Sequence, residues 1–72
     1  MAKMNRIETL EQMLDIMHEI QSYKYAISEA KNHERHLKMF PRLVKENHKN
    51  ILEYRTKIME LKLNYEQLKK QL

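Results

Sequence analysis

The stretch Leu37-Lys38-Met39-Phe40-Pro41-Arg42-Leu43-Val44 contains the single proline of this 72-residue chain. Proline lacks a backbone N–H donor, clashes with the turn before it in a helix, and disfavours the α conformation of the preceding residue. It is well accommodated in the first turn of a helix. We therefore predict helices over about 5–38 and about 41–70, joined by a turn at about 39–41, in a single domain covering 1–72.

Residues on both sides of the proline repeat with the alternating three- and four-residue spacing of a coiled-coil seam. Before the proline this seam comprises Met13, Ile16, Ile20, Tyr23, Ile27, Ala30, Glu34 and Leu37. After it the seam comprises Val44, Asn47, Ile51, Tyr54, Ile58, Leu61, Tyr65, Leu68 and Leu72. Because the order of the three- and four-residue steps changes near the proline, the pattern favours two helices folded into an antiparallel hairpin.

Two other arrangements of the chain are compatible with parts of this pattern. Positions seven residues apart continue from Ile16 to Ile51, which would allow one long helix, kinked at the proline, in an oligomer. A short extra helix over 32–39, capped by Asn32, is the other possibility. We predict the all-α, coiled-coil-like hairpin as the fold.

Composition agrees with long helices and excludes several classes of protein. Nearly half of the residues are Ala, Glu, Lys, Leu or Arg, as in long helices. There is no glycine, which argues against phosphate-binding loops and multi-hairpin β folds, and no cysteine, which removes disulfides and thiol chemistry. No apolar run is long enough for a membrane span or a signal peptide, so we expect a cytoplasmic protein without membrane association.

Extra apolar side chains are predicted at the open end of the hairpin, where the two termini meet. They are Ile7, Leu10, Leu14, Met17, Met59 and Leu63, and all lie off the seam. Two helices this short bury too little surface to form a stable core readily. We therefore predict a homodimer in which two hairpins form a four-helix bundle; a groove for a helix of another protein is the alternative.

Positive charge is concentrated around the predicted turn. Residues 31–49 carry the entire net charge of +4, because six cations outnumber Glu34 and Glu46. These cations are Lys31, Arg35, Lys38, Arg42, Lys45 and Lys49. They form either a solvated turn or a candidate site for anions or nucleic acid. No motif for reading bases is present, so only binding to the phosphate backbone is predicted.

Several individual residues carry further expectations. Asn47, a polar residue on the seam, is expected to fix the register of the helices. Glu34 should be partly buried and pair with Arg35, Arg42 or Lys45. An acidic stripe on the first helix, formed by Glu11, Asp15 and Glu19, should lie near Lys62, Lys69 and Lys70 on the second.

Chemical sites are not expected in this chain. His33 and His36 are surrounded by cations, which disfavour a bound metal, and Ser22 and Ser28 lack a base and an orienting group. We predict a small non-enzymatic interaction protein without cofactors: an adaptor, regulator or inhibitor that binds another protein through apolar helix faces. A nucleic-acid-binding regulator that uses the basic turn is the alternative function.

Overall fold

The computed structural model describes residues 5–72 as two helices, α1 over Arg6–Leu37 and α2 over Pro41–Lys69. The helices pack against each other as an antiparallel hairpin with dimensions of 56 × 16 × 14 Å. The predicted all-α hairpin is confirmed, and the kinked long helix is wrong. The extra helix over 32–39 is also wrong, because α1 continues without a break through Asn32 to Leu37.

The first turn of α1 is fixed by hydrogen bonds that its residues donate to Asn5, the residue before the helix. The Glu8 backbone N–H donates to Asn5 Oδ1 at 2.8 Å, so Asn5 is the N-cap. The Thr9 hydroxyl donates to the Asn5 carbonyl at 3.1 Å, and Thr9 is only 1% exposed. A polar side chain can be buried here because its one donor is satisfied locally.

The turn between the helices needs no residue with positive φ. Phe40 has φ −125° and ψ 84°, outside the α region, as expected for a residue before proline. Its N–H donates to the Leu37 carbonyl at 2.8 Å, and its own carbonyl accepts from the N–H of Val44 at 3.1 Å. Since no residue of 5–72 has positive φ, the chain reverses direction without glycine.

The core of the hairpin is the seam between α1 and α2. Every seam residue within the two helices is buried or half-buried, whereas the other residues of each helix are nearly all exposed. The most deeply buried apolar side chains are Met13, Ala30, Ile51 and Ile58. The heptad pattern therefore predicted which face of each helix is covered, and it leaves the other faces in solvent.

Two contacts between the helices define their register. Asn47 Nδ2 donates to the Ala30 carbonyl at 2.7 Å. The rings of Tyr23 and Tyr54 lie with their centroids 5.9 Å apart. Tyr23 precedes Ala30 by seven residues on α1, and Tyr54 follows Asn47 by seven residues on α2. The same register therefore holds over two turns of each helix.

Within residues 5–72, the acidic stripe of α1, expected near Lys62, Lys69 and Lys70, forms no ion pair with these lysines. The ion pairs between described residues join His33 to Glu29, His48 to Glu34 and Lys57 to Glu60. None of them involves the acidic stripe of α1. Such exposed pairs contribute little free energy, so nothing forces long side chains to meet there.

Neither helix, over residues 5–72, contains a segment long and apolar enough to cross a membrane.

Candidate interaction surfaces

One side of the hairpin carries a group of exposed apolar side chains towards the open end. Lys31 of α1 and Leu52 of α2 line the same groove and thus mark one side of the molecule. Residues separated by multiples of seven lie on the same side of a helix in a coiled coil. Leu10 and Met17 precede Lys31 by three and two heptads, and Met59 follows Leu52 by one heptad, so all three lie on this side of the hairpin. With their neighbours on α1 they form the open-end apolar surface, defined as Ile7, Leu10, Leu14, Met17 and Met59.

Leu63, which the sequence grouped with these residues, follows Met59 by one helical turn and lies at the margin of this surface. It lies midway between the seam residues Leu61 and Tyr65, so its side chain points to the outer face of α2. Leu63 is 64% exposed, and Leu14 of the open-end apolar surface is 55% exposed. The two leucines thus provide a matched pair, one within the surface and one at its margin.

A groove runs along the same side of the hairpin at its closed end. Its two adjoining parts are lined by Lys31 and Lys38 of α1 and by Lys45 and Arg55 of α2. Ile51 and Val44, which belong to the seam, also line it. We call the four cations and the groove between them the closed-end basic groove.

Glu34 and His48 face each other across the closed-end basic groove. His48 Nε2 contacts Glu34 Oε1, and Glu34 is half-buried as predicted. The prediction that Glu34 pairs with Arg35, Arg42 or Lys45 is wrong. His48 lies next to the seam on α2, directly across from Glu34, and it is the residue with which Glu34 pairs among those described.

The six predicted anion-binding residues are divided among neighbouring faces. Lys31, Lys38 and Lys45 border the closed-end basic groove, whereas Arg42 and Lys49, with Lys45, line a surface on the outside of α2. Arg35 lies one turn beyond Lys31, and all six side chains are exposed.

Sequence reasoning missed Arg55 as a member of the groove. Arg55 lines the groove one helical turn beyond Ile51, at the end of the groove farthest from the turn. Its heptad position, seven residues after His48, was the available indication.

The histidines near the turn are not grouped with enough other ligands to bind a metal. His33 Nε2 lies 3.9 Å from Glu29 Oε2, one helical turn away. Within residues 5–72 no group of three or more His, Asp or Glu side chains is placed to hold a metal ion.

Fold and surfaces together define a two-helix antiparallel hairpin with an apolar surface at one end and a basic groove at the other. No protein-family model, curated protein or solved structure matches the chain.

Proposed function

We propose that this chain is a small non-enzymatic interaction protein that binds other polypeptides through its open-end apolar surface. The observation that carries the proposal is the continuity of that surface. Five large apolar side chains line one side of the hairpin, each between 44% and 68% exposed. Monomeric proteins rarely leave such apolar patches in solvent unless they serve an interaction.

The partner that we propose for this surface is a second copy of the chain, which yields a four-helix bundle. The exposed stripe of α1 is apolar from Ile7 to Met17 and basic from Lys31 to Lys38. Two copies that overlap only at their open ends, with their closed ends pointing away from each other, cover apolar side chains with apolar side chains and form four helices over that overlap. This arrangement also keeps the cations of the two closed ends apart. If both closed ends pointed the same way, the two sets of cations would lie side by side and repel each other.

Energetics favour covering this surface. Full burial of a Leu, Ile or Met side chain contributes about 1.5–3 kcal/mol, and these side chains have roughly half of their area left to bury. Each therefore offers about 1 kcal/mol, and a two-fold interface uses every one twice. A target helix with a similar apolar face can replace the second copy, which is how an adaptor, regulator or inhibitor of this kind would act.

The test compares Leu14→Glu with Leu63→Glu by size-exclusion chromatography with light scattering. Both variants add one carboxylate at an exposed leucine, but Leu14 lies within the open-end apolar surface and Leu63 lies at its margin. We expect Leu14→Glu to be monomeric at concentrations at which the unmodified chain and Leu63→Glu are dimeric. Equal disruption by both variants would show that the open-end apolar surface is not the interface.

A further inference from the structure

We propose that the closed-end basic groove is a second binding site, which binds the phosphate backbone of nucleic acid without reading its sequence. This site lies at the end of the hairpin opposite the open-end apolar surface. It therefore does not depend on the function proposed for that surface.

The first supporting observation is the absence of internal neutralisation. No carboxylate within residues 5–72 forms an ion pair with Lys31, Lys38, Lys45 or Arg55. Glu34, the only acidic residue of 5–72 that lines the groove, is already in contact with His48. The cations of the groove thus keep their charge available for a bound polyanion.

The second observation is the extent of the positive surface. Arg55 follows Pro41, at the closed end, by fourteen residues, so the cations of the groove extend over about 20 Å. On the outside of α2, Arg42 and Lys49 add two cations beside Lys45, with the carboxylate of Glu46 among them. Each strand of a DNA duplex presents a phosphate about every 3.4 Å along its axis. Several phosphates thus fit within reach of one hairpin.

The composition of the groove indicates the mode of binding. No Phe or Tyr of residues 5–72 lines it, so bases lack the large aromatic platforms on which they stack. Lysines predominate, and a lysine ammonium acts as a point charge towards phosphate. We therefore infer contacts to the backbone, with little dependence on sequence.

The experiment measures binding of a fluorescent mixed-sequence DNA duplex by anisotropy over a range of NaCl concentrations. The test variant is the triple substitution Lys31→Gln, Lys38→Gln and Lys45→Gln. The unmodified chain should bind with a Kd of roughly 1–100 μM at physiological salt. The test variant should bind at least about tenfold more weakly, and its slope of log K against log salt should be shallower by about 2–3.

A second triple variant provides the control with the same change in net charge. It combines Lys57→Gln, Lys69→Gln and Lys70→Gln, which do not line the groove and of which two lie at the open end. Helical content, measured by circular dichroism, should be the same in both variants because all of these lysines are exposed. The control should retain the affinity and slope of the unmodified chain.

Three results would overturn the proposal. The first is no binding of duplex by the unmodified chain at low salt. The second is an equal loss of affinity in the two triple variants, which would reflect overall charge rather than this groove. The third is competition by polyglutamate as effective as that by DNA at equal charge, which would assign the groove to an acidic protein.

Discussion

Asn47 makes the contact in this hairpin whose loss is most informative, because its Nδ2 donates across the helix interface to the Ala30 carbonyl at 2.7 Å. We consider Asn47→Asp, which keeps the shape of the side chain. An ionised carboxylate can only accept hydrogen bonds. The substitution therefore places an oxygen against the carbonyl oxygen of Ala30 in a partly buried position.

The expected loss of stability has two parts. A neutral hydrogen bond contributes about 0.5–1.5 kcal/mol net, and this part is also lost in Asn47→Ala. Desolvating an unsatisfied polar group costs about a further 1–3 kcal/mol, and more for a charge. We expect Asn47→Ala to lower the free energy of unfolding by about 1 kcal/mol and Asn47→Asp to lower it by about 2–4 kcal/mol.

Urea unfolding, followed by circular dichroism at a fixed chain concentration, measures both losses. Asn50→Asp makes the same chemical change at an exposed position three residues away and should cost less than about 0.5 kcal/mol. The reasoning is refuted if Asn47→Asp destabilises the protein no more than Asn47→Ala does. In that case the amide would not be setting the register of the helices.

Other contacts of the hairpin lead to three more predictions, each measured by the same unfolding assay. Asn5→Ala removes the N-cap of α1 and should cost about 1 kcal/mol; no change would mean that the first turn frays in solution. Ile58→Ala opens a cavity in the seam and should cost about 2–4 kcal/mol, whereas Leu63→Ala on the outer face should be nearly neutral; similar losses would contradict the placement of the seam. A double-mutant cycle on Glu34 and His48 should give a coupling below about 1 kcal/mol, because both side chains remain accessible to solvent; a larger coupling would mean that the pair is shielded from water.

The fold could be predicted largely because heptad spacing and one proline act locally. Ile51 and Ile58 occupy positions that any antiparallel partner must cover, and Pro41 can scarcely lie inside a helix. The change of phase between the two seams argued against a continuous rod. The extra helix over 32–39 was wrong because Asn32 has no breaker near it, so its capping tendency does not interrupt a long helix supported by the seam on either side.

The interaction surfaces were only partly predictable, since they depend on how two helices combine. The position of Leu63 at the margin of the open-end apolar surface follows from its heptad position, which lies farther from the seam than that of Met59. The partner of Glu34 could not be chosen in that way. Several cations lie within a few residues of Glu34, and the choice of His48 depends on the register across the seam. Whether a second chain covers Leu14 is a property of the assembly and is absent from the pattern of one chain.

The mass of the unmodified chain in solution tests the proposed role of the open-end apolar surface most directly. Sedimentation equilibrium over a range of micromolar concentrations measures it without any substitution. We expect the average mass to rise from that of one 8.9 kDa chain towards twice that value as the concentration increases. A mass of 8.9 kDa at every concentration would contradict the proposal that a second copy covers this surface.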